Sequence, residues 1–282
     1  MKTFSTAGAT ALAFMCLATT PAMAQEEATG PITVSAEVAL VTDYRFRGVS
    51  YTDKEMAIQG GIEIGHESGL YGGAWASNLA GWGTFAGSNM ELDLYAGYSA
   101  DLSSGVALDV GATYFMYPGG LDTTDFIEFY ASVSGTLGPA ELTLGAAYAP
   151  PQEALGRWYF DGAAAAAGVY DDPGDKEDNT YVYLDASTGI PQTPVSLNAH
   201  VGYSWGNPGL GPQGTSVAPT GEYLDWKIGA DYAIGPVTLS AAYIDTDISR
   251  SESAYLLPNF ASTKNGSSIA DSTVVFSISA SF

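Results

Sequence analysis

The side chains able to do chemistry in this 282-residue chain are mostly of one sign: 31 are Asp or Glu, against 9 Lys or Arg and 2 His. The acids do not gather as a catalytic or metal-binding group would. They recur between apolar residues, at Glu37, Asp43, Glu63, Glu91, Asp93, Asp109, Glu128, Glu141, Asp185, Asp225 and Asp231, with Arg45, Arg47 and Lys227 as the main positive residues of the same facing. Carboxylates lining a low-dielectric passage focus potential, so they enrich cations and exclude anions. Asp43, Arg45 and Arg47 share one parity and form either an inward ion-pair ladder that constricts the passage or a salt-bridge network that fixes the first loop. A net charge of −22 excludes nucleic acid as a partner, since no basic stripe can release counterions from a phosphate backbone.

Catalysis is not expected. A Ser-His hydrolase acting on lipid needs its nucleophile and base on the bilayer side, whereas His200 lies on the polar face beside Asn198 and Ser196, as a lumen residue, and His66 falls in a turn. No Gly-rich phosphate loop or metal-ligand cluster is present, so neither cofactor nor metal is expected. The acidic run Asp171, Asp172, Asp175, Glu177 and Asp178 lacks the ordered spacing of a calcium loop and reads as a solvated charge run.

The elements that carry these residues alternate with period two. Ile32, Val34, Ala36, Val38 and Leu40 form one face, opposed by Thr33, Ser35, Glu37 and Asp43. The same rhythm runs through Met56–Ile64, Met90–Tyr98, Val106–Tyr114, Ile127–Val133, Ala140–Tyr148, Val182–Ala186, Val195–Trp205, Leu224–Tyr232, Val237–Tyr243 and Val274–Phe282. Leu70–Asn78 is a further strand whose facing is ambiguous, which brings the tally to about twelve. Connections alternate short and long. Tight turns rich in Gly, Pro or Ser fall at 66–69, 101–105, 135–139, 189–194 and 234–236; long loops fall at 45–55, 79–88, 118–124, 150–178, 206–222 and 246–272. The longest loop carries Arg157–Phe160 and the run Ala163–Ala167, a short helix that either folds into the lumen or caps the surface.

This pattern is that of an all-β, transmembrane, antiparallel up-and-down barrel with short periplasmic turns and long extracellular loops. A soluble sandwich or lipocalin-like barrel also alternates, and alternation alone does not say which face is inside. Three features favour the membrane. Aromatic residues sit at the ends of apolar faces (Tyr98, Tyr148, Tyr203, Trp205, Tyr232, Tyr243), as interfacial belts do; Ala and Gly are frequent on the polar faces, leaving room for water; and Phe282 is the last outward residue of the last strand. Residues 1–24 read as a signal peptide, with Lys2, an apolar stretch from Ala7 to Leu17 and Ala22-Met23-Ala24 before a cut ahead of Gln25. The only cysteine, Cys16, lies in that leader, and residues 25–282 are expected to be the barrel.

The stretches DYRFRGVS (Asp43–Ser50), IQGGIEIGHESGLYGGAWASN (Ile58–Asn78) and MELDLYAGY (Met90–Tyr98) resemble the TorF porin family, also called Gcw_chp. The resemblance implies an outer-membrane channel without catalytic residues, and the closing Phe282 resembles the signal read by the barrel-assembly machinery. The expected function is passive diffusion of small hydrophilic solutes with a weak cation preference, in the outer membrane of a Gram-negative bacterium, among outer-membrane lipid and lipopolysaccharide. The alternatives are a non-conducting structural or adhesive barrel and a soluble secreted binding protein. The residues expected to line the pore are Glu37, Asp43, Arg45, Arg47, Glu63, Glu91, Asp93, Asp109, Glu128, Asp185, His200, Asp225, Lys227 and Asp231; the oligomeric state is left open.

Overall fold

The computed structural model describes residues 30–282 apart from 86 and 104, so the leader and its cleavage site lie outside the described residues. In chain order the strands are β1 (Ile32–Val41), β2 (Arg45–Phe46), β3 (Val49–Ser50), β4 (Ala57–His66), β5 (Leu70–Asn78), β6 (Met90–Ser103), β7 (Val106–Met116), β8 (Phe126–Leu137), β9 (Ala140–Gln152), β10 (Glu177–Gly189), β11 (Val195–Trp205), β12 (Glu222–Ile234), β13 (Val237–Thr246) and β14 (Thr273–Ser281). All but β2 and β3 form a closed antiparallel barrel of twelve strands, each paired with its neighbour in sequence, and β1 closes the ring against β14. The seam is extended by Phe282, whose main-chain N–H and carbonyl both bond Ala36, at 2.8 and 3.0 Å.

The barrel is inside-out relative to a soluble protein. Ile32, Val34, Val38 and Leu40 of β1, Ile58, Ile62 and Ile64 of β4, and Val274, Phe276 and Ile278 of β14 are all exposed on the outer wall, while Glu91, Asp93, Asp225 and Asp231 are buried within it. An apolar exterior of this extent excludes the soluble sandwich or lipocalin arrangement, in which the apolar face is the inner one. Exposed aromatics form two belts. Tyr114, Phe129, Tyr148, Trp205 and Tyr243 lie toward the long loops, and Tyr98, Tyr232 and Phe282 toward the short turns. Tyr148, Tyr203 and Tyr243 donate their hydroxyls to Asp178, Glu222 and Asp245 at the loop-end rim, at 2.8–3.0 Å. A ring in apolar surroundings with its polar tip toward water is what an interface selects.

The ambiguous strand β5 is now fixed: Leu70 faces out and Tyr71 and Trp75 face in. Glycines on the inner wall do not leave room for water, as the sequence suggested. A Cβ on Gly73 would run into the ring of Tyr95, on Gly97 into Tyr71, on Gly111 into Tyr130, on Gly145 into Tyr183 and on Gly202 into Tyr181. In the first four pairs glycine and tyrosine are direct cross-strand partners. Each tyrosine lies flat over a neighbouring strand that lacks a side chain there, an arrangement that protects the glycine and lets the wall curve.

Candidate functional site

The interior divides at about mid-height. Toward the loops it is filled by the chain between β1 and β4, expected to be an external loop but folded back into the barrel. There β2 and β3 pair Arg45 with Ser50 and Phe46 with Val49, and the tip, Arg47 and Gly48, has φ of 46° and 81°. Two successive positive φ values are the two-residue hairpin geometry whose twist suits antiparallel strands. Glycine is required at position 48, because a Cβ would strike the side chain of Thr246 on β13.

Around this hairpin the sequence-predicted ladder separates into two devices. Arg45 donates from Nε to Asp43 Oδ2 at 2.7 Å and from Nη1 to the carbonyls of Gly48 (2.8 Å) and Asp271 (2.9 Å), while Ser50 donates to Asp43 Oδ1 at 2.6 Å. Asp43 and Arg45 therefore tie the loop to itself and to the last loop. Arg47 instead crosses the interior. It donates from Nη2 to both oxygens of Glu128 on β8, at 2.9 and 2.7 Å, and from Nη1 to Asn179 Oδ1 on β10 at 2.8 Å, and its guanidinium lies 4.0 Å from the ring centre of Tyr181. One nitrogen meets both carboxylate oxygens, the other is held by the Asn179 amide oxygen, and the guanidinium plane lies against a ring face.

Aromatic rings pack round these groups. Tyr44, Phe46 and Tyr51 of the loop meet Trp75, Phe115 and Phe126 of the wall and Phe85 and Tyr117 of neighbouring loops, with Phe115 and Phe126 stacked at 4.4 Å. Glu91 and Asp93 are wholly buried among them, and Tyr44 donates its hydroxyl to Glu91 at 3.0 Å. These two acids face inward as expected but are shut away from water.

Toward the turns the interior is polar. His200 is held between Asp185, 2.7 Å from Nδ1, and the Tyr181 hydroxyl, 2.8 Å from Nε2, with Asp225 at 3.2 Å beyond. Tyr71 donates to Asp109 at 2.6 Å and contacts the Tyr130 hydroxyl at 2.7 Å; Tyr95 donates to Glu63, and Asn198 donates to Asp231 at 2.7 Å. Glu37, Glu63, Asp185, His200 and Lys227 are partly exposed here. The sequence reading missed the tyrosines and Asn179 as parts of the interior; for Tyr71, Tyr95, Tyr130 and Tyr183, inward parity opposite a cross-strand glycine was the available signal.

The longest loop forms α1 (Gly162–Ala167), capped by Asp161, which accepts from the Ala164 N–H at 2.8 Å. The helix packs sideways on the turns at 212–214 and 254–256, within the loop cap. Asp171 and Asp175 accept from the backbone N–H groups of Phe160 and Arg157, so part of the acidic run fastens the loop.

The chain belongs to the family described as "Bacterial protein of unknown function (Gcw_chp)", which it matches over residues 25–282. No curated protein matches it. Among solved structures it is similar to the KdgM porin in complex with disordered oligogalacturonate (TM-score 0.50, 7% identity, 88% of this chain and 99% of that one). It is also similar to the COG4313 outer membrane channel from Pseudomonas putida F1 (TM-score 0.47, 12% identity, 88% and 94%). At these identities the KdgM likeness speaks to the barrel fold alone.

Proposed function

We propose that the protein is an outer-membrane channel for small hydrophilic solutes, shut in this conformation by the hairpin between β1 and β4 and cation-preferring when open. The observation that carries this reading is the inverted wall: aliphatic side chains and aromatic belts outside, ionised and hydroxylic side chains inside. Cation preference is supported by the sequestration of Arg45 and Arg47 in the dry half. In the wet half His200 and Lys227 remain to offset Glu37, Glu63, Asp109, Asp185 and Asp231.

Export through cleavage near Ala24, contact with outer-membrane lipid and lipopolysaccharide, handling of Phe282 by the barrel-assembly machinery, and the porin role expressed by the name TorF belong to the same proposal. The filled loop half favours a second reading, a structural barrel that stays shut. Planar-bilayer recordings separate the two, comparing wild type with a variant in which residues 44–51 are replaced by a Gly-Ser linker. A channel gives a severalfold larger conductance in the variant, with a reversal potential of cationic sign under a KCl gradient. Silence in both proteins establishes the structural barrel, and chloride preference removes the selectivity claim.

A further inference from the structure

The groups that grip the hairpin tip all belong to the barrel wall. The Arg47 guanidinium is met by Glu128 of β8 and by Asn179 and Tyr181 of β10. These three are set without help from the hairpin. Asn179 donates its side-chain nitrogen to Ser204 Oγ (3.2 Å) and to the Trp205 carbonyl (3.0 Å) on β11, which turns its oxygen toward the seat. Tyr181 is anchored through its hydroxyl, 2.8 Å from His200 on β11 and 3.0 Å from Asp225 on β12. The turn itself does not call for arginine. A φ of 46° suits Gly, Asn or Asp, so what position 47 gains from Arg is the head group that reaches the wall.

With the hairpin withdrawn, a carboxylate, an amide oxygen and an aromatic face surround a space that is of guanidinium size by construction. The seat borders the wet half, because the hydroxyl of Tyr181 bonds His200, whose other neighbour, Asp185, is partly exposed. We propose that this seat binds small guanidinium-bearing solutes entering the lumen, and that Arg47 fills it as a built-in competitor. A planar, weakly hydrated guanidinium lies on the Tyr181 ring while its edge meets Glu128 and Asn179; a compact ammonium has no plane to stack and holds its water more strongly. One seat does not hold two head groups, so solute binding and hairpin closure exclude each other, and the solute favours the open form by mass action. The inference rests on the reading that the hairpin can leave the lumen, but binding to a barrel without its hairpin does not require conduction.

The test uses the barrel whose residues 44–51 are replaced by a Gly-Ser linker, in detergent micelles, with folding checked by heat-modifiable gel migration. Ethylguanidinium is titrated calorimetrically, with ethylammonium as the control cation of equal charge. Ethylguanidinium should bind the linker variant about tenfold or more tightly than ethylammonium does, and adding Glu128→Gln should weaken it by about tenfold or more. Wild type, its seat filled by Arg47, should bind ethylguanidinium more weakly than the linker variant. Equal affinity for the two cations overturns the proposal, as does binding that Glu128→Gln leaves unchanged, since the other lumen acids would then account for it. Equal ethylguanidinium affinity in wild type and linker variant overturns the competitor role of Arg47. Should the linker variant fail to fold, Arg47→Ala empties the same seat and decides by the same comparisons. Binding without conductance would refute the channel reading and leave this site standing, whereas conductance without binding would do the reverse.

Discussion

The loop half and the turn half of the interior are walled by the same twelve strands, and both draw on tyrosines and carboxylates, yet they are stabilised differently. In the turn half, strands satisfy one another: Tyr71, Asp109 and Tyr130 link β5, β7 and β8, and Asp185 and His200 link β10 and β11, with His200 reaching on to Asp225 of β12 at the border with the hairpin tip. In the loop half the wall is completed by a segment that returns into it, so Phe115, Phe126 and Glu128 find partners on the β2–β3 hairpin and neighbouring loops. A barrel interior is thus not uniform in kind. Where only strands contribute it stays polar and partly wet, and where a loop returns it becomes a dry core resembling that of a soluble domain.

The sharpest way to break this contrast is Arg47→Ala. It strips two bonds from Glu128 and one from Asn179 and leaves a buried carboxylate unpaired, so it should cost about 3–5 kcal/mol. Urea unfolding of the refolded barrel in micelles, followed by tryptophan fluorescence, measures it. Asp231→Asn, which alters a single strand-to-strand bond in the turn half, should be far milder. If the two losses are equal, the hairpin is not the keystone of the loop half.

Phe126→Ala comes next. Its ring is 2% exposed and stacks on Phe115 at an interplanar angle of 11°, so truncation should cost about 3 kcal/mol by the same unfolding measurement. Phe129→Ala, three residues on but facing outward, should cost clearly less in that assay. In the turn half the corresponding probe is Gly111→Ala, whose new methyl must displace the Tyr130 ring, at about 2 kcal/mol. Combining it with Tyr130→Ala should recover part of that loss as a coupling between the two sites, whereas simple additivity would mean the ring does not depend on the glycine.

The wall of this molecule was readable from its sequence because period-two alternation places residues such as Val274, Phe276 and Ile278 on one face whichever side that face turns out to be. Turn and loop lengths then supplied the up-and-down order. What alternation does not encode is what fills the lumen. Arg47 meets Glu128 across 81 residues, and Arg45 reaches the Asp271 carbonyl across 226, so neither contact leaves a local pattern. DYRFRGVS shows only that charges alternate with aromatics, which suits an external ladder and an inserted hairpin equally. The inner glycines were misjudged for a related reason: Gly111 looks like empty space until the register places Tyr130 opposite it.

The smallest expected effect lies at the outer clasp, where the last loop meets the hairpin. Burial alone would raise the Asp271 carboxyl, but hydrogen bonds from Arg250 and Ser268 and the charges of Arg250 and Lys54 hold it below the usual carboxylate range. A carboxyl depressed on folding contributes stability that is complete above its unfolded pKa and is lost as pH falls through the lower folded value. Acidification across that window should therefore loosen the clasp. The side chains of Arg250 and Asp271 are 71% and 41% exposed, so solvent screens the pair and its contribution should stay below about 1 kcal/mol, shrinking further in high salt. Asp271→Asn should flatten that part of the pH–stability curve while leaving the Arg45 bond to the residue 271 carbonyl intact, because that bond uses the main chain. A much larger loss would mean that the side chain, and not the backbone, holds the last loop against the hairpin.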